Sequence, residues 1–378
     1  MLAPSRTARA ATGADLALQP QRIPQDLQPG GAYDRLIGQL AAEDKFSGTV
    51  FLAYRDRTVL ARAYGMADKV KSIPNRSDTI FALASASKPF TALAILQLAQ
   101  QGKIDFYETL GRYLSGFPAE IANTVTIHHL LTHTSGMGDL LKNQEFLDEA
   151  GTWSSAAEVM NETIKIIRKE PLLFSPGTKN SYSNNGYDVL GAVVEQVAGQ
   201  SFYDYVREHI FAVAGMTRTD YYTRTQWLAD ERIAHPYMVD PAGRRVDALR
   251  AGEGAARMFI GTGGGNGFST AGDLVRFARA LQGGELLSPT YTELFMSPKF
   301  PNRPRGAVDP TVRSFTAYGA PAPVWNGHLL FGHGGGAAGE STNWTVYRDL
   351  DWVGIILCNY DQIDIETVIN KERNLIAG

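Results

Sequence analysis

At 378 residues the chain has room for two or three structural units of roughly 150 residues each. Hydrophobic residues make up 44% and charged residues 20%, an ordinary globular balance that argues against disorder and against a coiled coil. Its 36 basic and 39 acidic residues leave a net charge of −3 with no basic stripe, so a small-molecule or peptide-like partner is expected and a nucleic acid is not.

Residues 1–32 read as a tail. Arg6 and Arg9 stand among alanines and prolines without the apolar core of a secretory signal, which favours a cytoplasmic chain over an atypically exported one. An amphipathic helix is expected from Tyr33 to about Glu43. Thr49–Ala53 and Thr58–Tyr64 then read as a hairpin turning at Arg55–Arg57. Ile80–Ala84 is a short apolar approach to Ser85, and residues 92–99, apolar nearly all round and ended by Gly102, predict a buried helix. Helices follow at Ile127–Thr132, Ser155–Arg168, Gly186–Ala198 and Phe202–Phe211. Strands return at Ser314–Gly319, Leu329–Gly332, Trp344–Arg348 and Trp352–Asn359, before a last helix from Ile363 to Leu375. Strands at both ends with helices between predict one sheet built from the two chain ends. No apolar run reaches the roughly 18 residues of a transmembrane helix. The lone cysteine, Cys358, reads as a buried strand residue.

Three short stretches carry chemistry. Ser85-Ala86-Ser87-Lys88 lies where the apolar approach meets the buried helix, with Pro89 suited to that helix's first turn. Residues three apart share a helix face, so Lys88 can reach the Ser85 hydroxyl, and the helix start offers free N–H groups to a developing oxyanion. Tyr182-Ser183-Asn184 precedes a helix that Ser183 or Asn184 can cap. Tyr182 is a candidate acid/base whose phenolate a neighbouring Lys88 ammonium would favour, and Asn184 is a candidate amide donor. His333-Gly334-Gly335-Gly336 follows an apolar strand. The string is like the oxyanion motif of α/β-hydrolases, but no Gly-x-Ser-x-Gly elbow exists in the chain, so a strand edge open to substrate is the remaining reading.

In that order the three motifs resemble those of serine β-lactamases and penicillin-recognising enzymes. The tyrosine form is similar to the branch of class C β-lactamases, DD-peptidases and related esterases. Residues 130–136 (Leu-Leu-Thr-His-Thr-Ser-Gly) and Gly264-Gly265 with Ser269–Leu274 add to the likeness, which covers roughly residues 33–370. The resemblance implies an α/β (α+β) β-lactamase/transpeptidase-like fold: an antiparallel sheet flanked by helices, from residues 33–102 and 261–378, with an all-helical lobe inserted at 103–260. It also implies Ser85 as the acylated nucleophile, Lys88 as its proton partner and Tyr182 as base and then acid. Asn184 would bind the acyl side, with Ser85 N–H and Gly336 N–H as the oxyanion hole and His333 and Gly335 lining the substrate. No metal or organic cofactor is called for.

His333 departs from the lysine usual in β-lactamases of this type. A mostly neutral imidazole attracts an anionic antibiotic less, and the Glu-x-x-x-Asn deacylation loop of class A enzymes is missing. The expected activity is a serine hydrolase of esters or small amides. Its alternatives are a transacylase with an amine or alcohol acceptor, a D-peptidase or weak β-lactamase, and a non-catalytic acyl-binding module. His129 and His133 have a metal-compatible spacing, but Leu130 stands where a zincin carries glutamate, so no metal site is expected. Glycine is in excess at 38 residues, ten of them within 250–284 and five within 331–340, which predicts close-packed turns beside the site. Tyr221, Tyr222 and Trp227 are read as lobe packing, with an acyl pocket as the alternative.

Overall fold

Both ends of the chain meet in one antiparallel sheet. The computed structural model describes residues 23–55, 57–302 and 311–378. Residues 1–22, most of the expected tail, lie outside the described residues. From there on the chain is packed, because the turn Gln25–Leu27 buries Leu27 in the same core as α1 (Ala32–Ala42), which contributes Tyr33 and Ile37. The expected hairpin is β1 (Gly48–Tyr54) against β2 (Arg57–Tyr64); Asp56, within its turn, is outside the described residues.

The predicted buried helix is α2 (Lys88–Gln100), with Pro89 in its first turn and every residue from Lys88 to Ala99 buried. A helix apolar on all sides has no solvent face, so it sits at the centre of the molecule. Among the helices that follow are α3 (Ile127–Leu131), α4 (Gln144–Glu149), α5 (Ala156–Ile167) and α6 (Asn184–Ala198). Each starts behind a residue whose side-chain oxygen accepts a backbone N–H: Thr126 from His129, Asn143 from Phe146, Ser155 from Glu158 and Ser183 from Gly186. These caps are why the sequence marked most helix starts correctly. The region is not wholly helical, since Tyr237–Val239 and Arg245–Asp247 form a short hairpin within it.

After α7 (Ala271–Gln282) come β3 (Val312–Arg313), β4 (Val324–Trp325), β5 (His328–Ala337), β6 (Glu340–Tyr347) and β7 (Trp352–Cys358), and then α8 (Ile365–Ala377). The seven strands run β3-β4-β5-β6-β7-β1-β2, so β1 is held between β2 and β7. Alternate residues of β7 serve two cores. Val353, Ile355 and Leu357 join the cluster around α2 and α7, while Trp352, Ile356 and Cys358 join that of α1 and α8.

Two strand expectations need correction. Of Ser314–Gly319 only Phe315–Thr316 is a strand, pairing with Phe300–Pro301 outside the main sheet, because Gly319 turns the chain at a φ of 83°. In contrast, β5 does not stop at Gly332. It continues to Ala337 because β6 supplies a ladder partner for each glycine, and pairing overrides their poor strand propensity.

Candidate active site

Ser85 sits in a tight turn, Ala84–Ser87, wedged between α2 and the sheet. Sheet side chains hold this turn in place. The Thr342 hydroxyl donates to the Leu83 carbonyl at 3.0 Å, and Trp344 Nε1 donates to the Ala86 carbonyl at 2.9 Å. Across the turn runs β5, with Gly335 at the crossing: a Cβ there would run into the Leu83 carbonyl and the Thr342 hydroxyl. Ala84, just before the serine, is strained at a φ of 46°.

The edge of β5 beside the turn is open. Leu330 and Gly332 direct their N–H groups outward, to the carbonyls of Pro323 and Pro321. Two-residue alternation therefore points the N–H groups of Gly334 and Gly336 the same way. β4 covers only His328 and Leu329, so among the described residues no strand takes these two donors.

Lys88 is fully buried and its Nζ lies 3.1 Å from Ser85 Oγ. It also reaches Asn184 Oδ1 at 2.7 Å and the Gly264 carbonyl. The ammonium stands 4.9 Å from the Tyr182 ring centre and 5.7 Å from that of Tyr187. Burial holds Lys88 well below the ordinary lysine value, against the opposing pull of the Asp188 and Asp139 carboxylates. Burial likewise raises Asp188, which accepts from the Thr262 hydroxyl at 2.6 Å and Gly264 N–H at 2.9 Å.

Tyr182 hydrogen-bonds to Ser85 through its hydroxyl and leaves 44% of the residue exposed to the cleft. Its phenol is raised, burial outweighing the Ser85 contact, with the Asp139 and Asp188 carboxylates adding to the rise. The expected phenolate is thus corrected: in the resting site Tyr182 is a neutral phenol and Lys88 is the group nearer to losing a proton. The Asn184 amide joins Lys88 to Asp139, whose two oxygens it meets at 3.1 and 3.2 Å.

His333 is buried, with its ring centre 6.3 Å from that of Tyr182. Its Nδ1 donates to the Gly334 carbonyl, which fixes the proton on that nitrogen. Burial first, and then the Lys88 charge, push its pKa down to about 3, so the imidazole is neutral at pH 7. His133 packs its ring 4.5 Å from Tyr182 and accepts Ser183 N–H at 3.2 Å, and so positions the tyrosine segment. His129 is spent on its helix start, where Nδ1 accepts from Thr126 N–H. No group of three or more metal-binding side chains lies together among the described residues.

Ser85, Lys88, Tyr182, Asn184, His333, Gly335 and Gly336 are therefore gathered at one place. Asp139, Asp188 and the Gly264 carbonyl were missed. Only Asp188 left a signal, as a lone acid in the otherwise apolar run from Tyr187 to Val194. The glycine turn does lie against the site: Gly264 meets Lys88, and Gly265 approaches Ala84. Tyr221 is buried in the main core, and Trp227 is buried in a small cluster against which Tyr222 packs. No helix among the described residues is long and apolar enough to cross a membrane.

A family model described as Beta-lactamase matches residues 33–377. Penicillin-binding protein 4* of Bacillus subtilis is 33% identical over 272 residues, covering 70% of this chain and 58% of that protein. The match thus spans little more than half the length of that relative. Esterase EstB of Burkholderia gladioli is 32% identical over 280 residues, covering 66% of this chain and 69% of the esterase. A penicillin-binding protein structure from Bacillus halodurans superposes with a TM-score of 0.77 at 26% identity, covering 90% of this chain and 98% of that one.

Proposed function

The chain belongs to the Beta-lactamase family, and on that premise we propose that it hydrolyses carboxylic esters or small amides through an acyl-enzyme on Ser85. The observation that carries the reading is the buried Lys88 amine 3.1 Å from Ser85 Oγ, next to a strand edge whose last donors no strand takes among the described residues. Neutral Lys88 takes the hydroxyl proton as Ser85 Oγ adds to the carbonyl carbon. The oxyanion that forms is met by Ser85 N–H and Gly336 N–H. Tyr182, hydrogen-bonded to Ser85, gives its proton to the departing oxygen or nitrogen and recovers one from Lys88. Water then repeats the path in reverse: its proton leaves through Tyr182 and Lys88, its oxygen takes the acyl carbon, and Ser85 is restored.

The neutral His333 supports esters and amides over carboxylate-bearing β-lactams, since an uncharged imidazole attracts a carboxylate less than a fixed cation would. The test is intact-mass measurement after incubation with a fluorophosphonate and a panel of p-nitrophenyl esters. One adduct on Ser85, absent from Ser85→Ala, is expected. A folded wild-type protein that takes no adduct and turns over no ester would sink the reading.

A further inference from the structure

The open strand edge gives the site a direction. His333, beside Tyr182, stands at one end of the free stretch of β5, and Ala338 lies just beyond the other. A leaving group protonated by Tyr182 departs at the His333 end, so an acyl group whose carbonyl rests on Gly336 extends toward Ala338. Two chain segments run from the site to one cavity. One is the loop through Gly252 and Arg257, pressed so closely on the strand that a Cβ on Gly254 would sit 2.8 Å from that of Ala338. The other leads from Asp139, the partner of Asn184, through Leu140–Lys142 into α4.

Between them is an open cavity of about 320 Å³ lined by Leu147, Asp148, Gly151, Arg224, Gly252 and Arg257. Arg224 is committed to the neighbouring 249–256 segment, donating to the carbonyls of Ala256 at 3.1 Å and Leu249 at 2.9 Å, so its charge stays unneutralised. Arg257 lays its stem beside Gly151 and, among the described residues, makes neither an ion pair nor a hydrogen bond. The single carboxylate in the lining, Asp148, is exposed and accepts from Gln144 Nε2 at 2.7 Å. A half-buried arginine that, among the described residues, has no partner, set in one cavity wall with a second arginine, suits a planar anion.

We propose that this cavity receives an acyl group that ends in a carboxylate, held by Arg257, so that the substrates are half-esters or half-amides of short dicarboxylic acids. The inference rests on the acyl-enzyme reading of Ser85. The bond broken is that between the acyl carbon and the leaving oxygen or nitrogen. Water supplies the oxygen that replaces it, and the products are an alcohol or amine and a free dicarboxylate.

The test compares p-nitrophenyl half-esters of glutaric and adipic acid with the same compounds capped as methyl esters, which differ only in the terminal charge. For wild type, kcat/KM is expected to favour the free acid by roughly tenfold or more. Arg257→Met brings that ratio near unity, Arg257→Lys keeps part of it, and Arg57→Met, on the remote hairpin, leaves the ratio as it was. Wild-type preference for the methyl-capped ester, or a preference that survives Arg257→Met, would overturn the proposal. Calorimetric titration of Ser85→Ala with glutarate and adipate supplies a readout independent of turnover. Binding lost on adding Arg257→Met supports the site, and no binding counts against it. Absence of both ester turnover and a fluorophosphonate adduct defeats the Ser85 reading instead, and the titration then decides the cavity alone.

Discussion

Lys88 is an ionisable group kept in a place that disfavours its ion. Desolvation pushes it toward the neutral amine, while Asp188 and Asp139 pull the other way. A base must be unprotonated to act, so kcat/KM is expected to rise with pH through an ionisation well below the ordinary lysine value of 10.5. The groups facing it, His133, His333 and Tyr182, are neutral across that range, which leaves the limb to Lys88 with its two carboxylates. Lys88→Arg, a permanent cation, should cost roughly 10²–10⁴ in kcat/KM at every pH and abolish the limb. A limb that persists in the arginine variant would assign the base elsewhere. At this scale the site was legible where chemistry sits in short strings, since Ser85 and Lys88 are three residues apart and Tyr182 and Asn184 two. Asp139 was illegible because its meaning comes from touching Asn184, 45 residues on. The resting state of Tyr182 was misjudged because burial does not appear in a motif.

Between elements, the decisive contact is β5 crossing the Ser85 turn at Gly335. Val at 335 would place its branched carbon against the Leu83 carbonyl and the Thr342 hydroxyl, both of which hold the turn. Gly335→Val should lower stability by about 1–3 kcal/mol, read as a urea midpoint, and slow fluorophosphonate adduct formation roughly a hundredfold. Gly334→Ala, whose nearest contact would be an ordinary 3.5 Å, should leave the urea midpoint unchanged. Equal midpoints for the two variants would show that the crossing is looser than described. Helices were readable because caps and apolar periodicity are local. The glycine half of β5 was not, because a strand of glycines exists only by virtue of the partner strand that pairs with it.

Across the whole molecule, Glu372 of α8 is fully buried and joins Tyr33 of α1 at 2.9 Å to Tyr347 of β6 at 2.9 Å. Burial pushes its carboxyl up to about 7, with the two tyrosine hydroxyls opposing, and pushes the buried Glu340 up to about 8. Both keep a proton in the folded state at pH values where the unfolded chain, near 4.5, has released it. The part of the stability that these two groups supply should therefore fall as pH rises from about 4.5 to 8 and level off above, each contributing at most about 1.4 kcal/mol per unit within its own window. Glu372→Gln should flatten the part of that slope between about 4.5 and 7 in urea midpoints, and an unchanged slope would remove the clamp from the account. The placing of β1 between β2 and β7 has a further consequence, for synthesis. At roughly 5–20 residues per second, a ribosome that has made residue 54 needs about 15–60 s more to deliver residue 352. For that interval one long edge of an apolar hairpin has no native neighbour, and the nascent chain must be shielded until its last strand arrives.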